Sequence, residues 1–233
     1  MGQVFFVSGI DTGVGKTVVT GLMARYLMKR GVKTATVKIV QTGNTGFSED
    51  RDEHRRIMGT TLPEDAENLT APQIFSFPAS PHLAAALEKR SVDTDRIRTA
   101  CRTLAARYDV VLAEGAGGLA APLTEDLLTV DFAAREGYPL ILVSSGKLGS
   151  LNHTILSLEC ASSRGMRAAG IVFNHAPGSD PVIDADSMKM MRRYLVRYGF
   201  PPAVVRVPEV GETFPEVDFS PLFTEKDEYA HEN

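Results

Sequence analysis

Cysteine is scarce in this chain. Only Cys101 and Cys160 occur among 233 residues, and neither stands in a CxxC or Cys/His cluster. Two thiols cannot staple a domain of this size, so neither a disulfide framework nor structural zinc is expected. A basic excess is also missing: 25 Lys and Arg face 29 Asp and Glu, for a formal net charge of -4. Nothing in that balance is built to hold a phosphate backbone, and nucleic acid is not an expected partner. Long apolar runs are absent too. The longest reach about five to seven residues, against the ~20 needed to span a bilayer, so no membrane association is expected. The start, Met-Gly-Gln-Val-Phe-Phe-Val-Ser, has neither a basic n-region nor a small-residue cleavage site. These features together describe a cytoplasmic protein with two reduced thiols. No internal repeat or low-complexity linker divides it.

What is present is an apolar content of 43% against 23% charged residues, enough to build a sizeable core. Strands and helices alternate along the chain. Apolar runs at 4–8, 34–40, 109–113, 140–144, 168–173 and 203–207 read as strands. Helical periods lie at 16–29, 52–58, 82–88, 95–107, 151–164 and 185–198. Strands made of unbroken Val, Ile and Leu are buried on both faces, as in a parallel sheet. The expected fold is α/β: a doubly wound, mostly parallel sheet with helices on both faces. One domain is expected over residues 1–210. Residues 211–233, acidic and without period, are expected to form a loosely packed tail. His54, Arg55 and Arg56 read as a solvated helix face. Met188, Met190 and Met191 read as packing or interface residues.

The strongest signal is Gly9-Ile10-Asp11-Thr12-Gly13-Val14-Gly15-Lys16-Thr17, between a strand and a helix. That context and composition describe a phosphate-binding P-loop. Small residues let successive backbone N–H groups turn inward around phosphate oxygens, and the helix start adds its dipole. Lys16 would reach the β and γ phosphates of ATP, and the Thr17 hydroxyl would ligate Mg²⁺. Gly13, Val14, Gly15 and Val18 complete the loop. Ile10 occupies the usual first-glycine position, which makes the spacing one residue longer than GxxxxGKT.

Four more segments aim chemistry at the same end of the sheet. Val37-Lys38-Ile39-Val40-Gln41-Thr42-Gly43 delivers a lysine to the carboxyl end of the second strand. Ala113-Glu114-Gly115-Ala116-Gly117-Gly118 sets an acid at a strand tip, placed to hold Mg²⁺, with glycines that allow close approach of a nucleotide. Gly146-Lys147-Leu148-Gly149-Ser150-Leu151-Asn152-His153 is a glycine turn opening a helix, a second anion site. Val172-Phe173-Asn174-His175 ends a strand on an amide suited to a purine edge.

Together these segments resemble the dethiobiotin synthetases, over residues 3 to about 210. Ser80-Pro81-His82 also matches a short segment of that family. The resemblance implies an ATP- and Mg²⁺-dependent ligase that carboxylates 7,8-diaminononanoate with carbon dioxide and closes a ureido ring. On it, Lys38 is the active-site lysine and Thr42 contacts the substrate. Thr17, Glu114 and an aspartate at 50 or 52 surround the metal. Asp50 fits the start of the helix, whereas a gapless count back from Leu62 favours Asp52. Asn174 and His175 meet the base, with Pro208, Glu209 and Val210 in the base loop. Gly149, Ser150 and Asn152 anchor the substrate carboxylate of the neighbouring subunit, which implies a homodimer with shared active sites. Two departures stand out: Ile39 replaces the proline usual after the lysine, and Leu119-Ala120-Ala121 is less bulky than usual.

Other classes carry related P-loops. Partition and septum-positioning ATPases have a second lysine five residues before the P-loop lysine; here that position is Asp11. A corrinoid amide ligase would need a glutaminase domain with a catalytic cysteine. No length remains for one, and Cys160 falls inside a helical period.

Overall fold

The computed structural model describes residues 1–175, 178–211 and 213–223. The first half runs β1 (Gln3–Gly9), α1 (Lys16–Lys29), β2 (Thr34–Lys38), β3 (Gln41–Thr42), α2 (Glu49–Met58), β4 (Ile74–Phe75), α3 (Pro81–Leu87) and α4 (Thr94–Arg107). The second runs β5 (Val110–Gly118), α5 (Thr129–Arg135), β6 (Leu140–Ser145), α6 (Ser150–Ser162), β7 (Ala168–Asn174), α7 (Pro181–Arg197) and β8 (Val204–Val207). Six strands form one parallel sheet in the order β2-β5-β1-β6-β7-β8. The short β3 and β4 pair separately, also in parallel.

The unbroken apolar strands are buried on both sides, and alternate residues feed two cores. Phe6, Val111, Ala113, Leu142 and Phe173 face one side, against Ile97 and Leu104 of α4, Leu158 of α6 and Leu195 of α7. Val7, Leu112, Ile141, Val143 and Val172 face the other, against Val19, Leu22 and Met23 of α1 and Ile57 of α2. A parallel sheet needs both cores, because helical crossovers cover both its faces. Each fully buried Leu or Phe contributes about 1.5–3 kcal/mol of transfer free energy.

β1 is the pivot. The chain leaves it to reach β2 on one side, with β5 later inserted between them, and β6 then pairs on its other side. Reversal of strand order opens a crevice at the carboxyl ends of the strands, where α/β proteins bind ligands.

Several elements depart from expectation. α7 begins at Pro181 rather than 185, and β3 and β4 are not among the expected strands. β5 runs on through Gly118, so Glu114 lies within a strand rather than at its tip; Gly115 and Gly118 let the strand continue beside β1, with Gly9 opposite Gly118. α2 starts at Glu49 rather than 52 because Ser48 caps it, accepting a hydrogen bond from the Arg51 N–H. α5 follows no period visible in the sequence; at seven residues it is too short to establish one.

The tail also differs. Residues 213–223 pack against α1 and β1. Phe219 is buried edge-on to Tyr26, with ring centroids 5.6 Å apart, and Phe223 meets Phe5 at 5.2 Å. Asp218 Oδ1 accepts from the Tyr26 hydroxyl at 2.5 Å, and Glu216 pairs with Lys29. The expected loose packing therefore does not hold for 213–223, because apolar residues spaced among the acids find an open face of α1. Residues 224–233 lie outside the described residues.

Candidate functional site

The loop between β1 and α1 takes its shape from glycine. Gly13 and Gly15 adopt φ of 73° and 86°, a region that side chains disfavour. At Gly15 a side chain is excluded twice: a Cβ there would lie 2.2 Å from Asn174 Nδ2. That amide donates to the Val14 carbonyl at 2.9 Å, tying the end of β7 to the loop. Lys16 opens α1 and curls back so that its Nζ donates to the Asp11 carbonyl at 2.9 Å. Burial, and then the nearby charge of Lys38, lower its pKa to about 8. Two ammonium groups this close create a field that favours an anion.

Sheet register supplies the next pair. Lys38 of β2 lies directly opposite Glu114 of β5, and paired residues of a parallel ladder project to the same face. Lys38 Nζ sits 2.8 Å from Glu114 Oε1 and 2.9 Å from the Gly115 carbonyl. It also lies 2.6 Å from Asp50 Oδ2. Burial opposes the Lys38 charge, but the ion pairs with Glu114 and Asp50 outweigh it and raise its pKa. For Glu114, fully buried, desolvation is overcome in the same way: Lys38 and a contact from His54 hold its carboxyl well below the usual range.

Thr17 closes the cluster. Its hydroxyl stands 2.9 Å from Asp50 Oδ1 and 3.1 Å from Glu114 Oε1. Three oxygens of hydroxyl and carboxylate type thus converge beside the phosphate loop, a donor set suited to a small hard cation. No group of three or more His, Cys, Asp or Glu forms a metal cluster among the described residues. A cation here would therefore complete its shell with phosphate and water oxygens, as such cations do at nucleotide sites.

Of the two candidate aspartates, the structure brings Asp50 into this cluster. Asp52 points outward, 52% exposed, and pairs with Arg51 at 2.7 Å. Gln41 explains the choice. Its Oε1 accepts from the Ser48 hydroxyl at 2.8 Å and from the Asp50 N–H at 3.4 Å, so it holds the first turn of α2 against the site. Thr42 follows directly on β3. Ala116 is buried, and Gly117 adopts φ of 71° beyond Glu114. Val207 pairs with Asn174, and the His175 N–H donates to the Val207 carbonyl at 2.9 Å. Exposed Pro208 and Glu209 and half-buried Val210 therefore leave the sheet beside the end of β7.

Gly149 caps α6 with φ of 91°, and buried Ser150 meets Ser145 Oγ at 2.9 Å. Asn152 is exposed and Leu148 is 97% exposed. Among the described residues no hydrogen bond joins Gly149, Ser150 or Asn152 to Lys16, Lys38 or Thr42 of the same chain.

Sequence reading missed Gln41, Ser48 and His54. His54 and Arg55, expected on a solvated face, are 0% and 7% exposed; Arg56 alone faces solvent. Arg55 pairs with Asp65 and donates to Thr36 Oγ1 at 2.7 Å. Polar residue types concealed a buried helix face, and the only signal was their four-residue spacing from Asp50 and Arg51.

A family model for an AAA domain matches residues 3–215. An ATP-dependent dethiobiotin synthetase of Pasteurella multocida is 45% identical over 199 residues, covering 85% of this chain and 93% of the relative. Another, of Chlorobaculum tepidum, is 50% identical over 205 residues, covering 88% and 86%. A solved ParA family ATPase from Chlorobium tepidum superposes with a TM-score of 0.55 at 17% identity, over 91% of this chain and 87% of that one. That likeness extends to the fold alone. Among the described residues no helix is long and apolar enough to cross a membrane. With the P-loop, the lysine of β2 and the acid of β5 meeting at one point, and with relatives this similar over most of their length, the chain belongs to the ATP-dependent dethiobiotin synthetases, ligases that form carbon–nitrogen bonds.

Proposed function

We propose that the chain converts 7,8-diaminononanoate, carbon dioxide and ATP into dethiobiotin, ADP and phosphate. The observation that carries this reading is the convergence of Lys38, Thr17, Asp50 and Glu114 beside the phosphate loop. One amine of the substrate adds to carbon dioxide and loses a proton, giving a carbamate. The carbamate oxygen takes the γ-phosphoryl group of ATP, releasing ADP. The second amine attacks the resulting mixed anhydride, and its C–N bond closes the five-membered ring as phosphate leaves.

The obstacle is charge. A carbamate and a triphosphate repel each other until something neutralises both at contact. Lys38 is buried and held charged, so it can meet the carbamate with its ammonium. Lys16 and the N–H groups of the loop receive the phosphates. Thr42, four residues beyond Lys38, lies on the substrate side. Asn174, His175 and the segment Pro208, Glu209 and Val210 border the base. Thr17, Asp50 and Glu114 would hold Mg²⁺, which when bound supplies neutralising charge to the phosphate oxygens. No protein nucleophile is needed.

The diamino acid carries its carboxylate several methylenes from its amines. The turn at Gly149, with Ser150 and Asn152, opens outward rather than onto its own Lys38, which suits a role as the carboxylate anchor of a neighbouring subunit in a homodimer. The chemistry is tested by following ADP release with diaminononanoate and bicarbonate each omitted in turn. Release that persists at the full rate without either one would overturn the reading.

A further inference from the structure

His54 takes no part in the chemistry above, yet it touches the site. Its ring and the Glu114 side chain are both 0% exposed, and Nε2 lies 2.7 Å from Glu114 Oε2. An ionised carboxylate only accepts, so Nε2 carries the hydrogen and donates it. The other ring nitrogen, Nδ1, is buried and has no hydrogen-bond partner among the described residues. A ring that served packing alone would be better replaced by an apolar one, since burying an unsatisfied nitrogen costs free energy. The single polar contact of His54 is therefore the one to explain.

Glu114 divides its oxygens. Oε1 faces Lys38 Nζ at 2.8 Å and the Thr17 hydroxyl at 3.1 Å, while Oε2 is taken by His54. The carboxylate cannot rotate without breaking the histidine contact. His54 also lies one helical turn after Asp50 on α2, so both project from one face of that helix. α2 thus delivers one carboxylate and clamps the other. We propose that His54 is a positioning residue: it pins Glu114 Oε2 so that Oε1 is presented, beside Asp50, to the cation that accompanies the nucleotide. This rests on the reading of Glu114 and Asp50 as cation ligands.

Outer partners of metal ligands typically govern about 10–100-fold in metal affinity. The test measures binding of a non-hydrolysable ATP analogue by calorimetry, in chelator and across a Mg²⁺ titration. Wild type, Glu114→Gln, His54→Phe and His54→Gln are compared. In His54→Phe the Mg²⁺ concentration for half-maximal enhancement should rise about 10-fold or more, while metal-free affinity stays near wild type. In His54→Gln, whose amide can donate to the same oxygen, the Mg²⁺ requirement should return towards wild type. An unchanged Mg²⁺ requirement in His54→Phe, alongside a raised one in Glu114→Gln, overturns the role of His54 alone. An unchanged requirement in Glu114→Gln overturns the cation-ligand reading, and the role of His54 with it. Equal loss of metal-free and Mg²⁺-dependent affinity in His54→Phe reduces His54 to a structural residue. If the variants do not fold, ¹⁵N spectra of the wild-type ring decide: a hydrogen on Nε2 supports the clamp, and a ring protonated at Nδ1 alone overturns it.

Discussion

Lys38 is held by three oxygens at once: Asp50 Oδ2, Glu114 Oε1 and the Gly115 carbonyl. Such a network fixes the ammonium in place before any substrate arrives, which is the preorganisation that transition-state stabilisation needs. Replacing Lys38 with alanine should therefore cost turnover about 10²–10³-fold while leaving ATP affinity close to wild type, since in the proposed function it is Lys16 and the loop that receive the phosphates. Steady-state kinetics paired with nucleotide calorimetry would check this, and near-normal turnover would refute the role. The aspartates separate just as sharply. Asp50→Asn should raise the Mg²⁺ requirement, whereas Asp52→Asn, on the solvent side beside Arg51, should leave it unchanged. If the two variants behave alike, the metal role of Asp50 is wrong.

At the scale of the element, α2 decides the site, and its docking is electrostatic as well as apolar. Ile57 and Met58 enter the core, while Arg55 pairs with Asp65 and reaches Thr36 of β2. Burial alone would raise the Asp65 pKa. Hydrogen bonds from Arg55, Thr70 and the Leu62 N–H reverse that and bring it from 3.8 to about 2. The folded value lies below the unfolded one, so this contribution is complete above about pH 4 and is lost as pH falls through 2. The gap corresponds to roughly 2 kcal/mol. Urea denaturation at pH 6 and again near pH 2 should show wild type losing about that much more stability than Asp65→Asn, and equal losses would contradict it. The sequence announced α1 residue for residue, because Val19, Leu22, Met23, Tyr26 and Leu27 recur at helical spacing between the Gly-Lys-Thr start and Gly31. It concealed the buried face of α2, where His54 meets Glu114 of β5 and Arg55 meets Thr36 of β2 and Asp65 beyond the helix, and no local period reports such partners.

For the whole molecule, two surfaces matter. Residues 213–223 cover α1 with Phe219 and Leu222, both buried. Phe219→Ala should therefore lower stability by about 3–5 kcal/mol, measured as a shift in denaturation midpoint; a shift under about 1 kcal/mol would mean that this segment is dispensable. The opposite case is the turn at Gly149, which faces outward with Leu148. If it completes a neighbour's site, Asn152→Ala should raise KM for the diamino acid and spare KM for ATP. Mixing that variant with Lys38→Ala should then recover activity, because one of the two hybrid sites is built from intact halves. Subunit exchange must be verified first. No recovery after verified exchange, or full activity in a sedimenting monomer, would refute the shared site.

The P-loop, the parallel α/β sheet and the lysine of β2 were determined by the sequence itself. Each depends on local spacing: glycines before Gly-Lys-Thr, unbroken apolar runs of strand length, and a helical stripe after the loop. Only the tertiary structure decided between Asp50 and Asp52, brought His54 onto Glu114, and turned an acidic, patternless segment into the cover of α1. Those outcomes depend on where α2 and residues 213–223 dock. Docking is set by the Ser48 cap and by Gln41 on a two-residue strand for α2, and by Tyr26 of α1 and Phe5 of β1 for residues 213–223. The Ser48 contacts are local, but His54 meets Glu114 across 60 positions and Phe219 meets Tyr26 from the other end of the chain, and partners that distant leave no mark in a sequence read along its length.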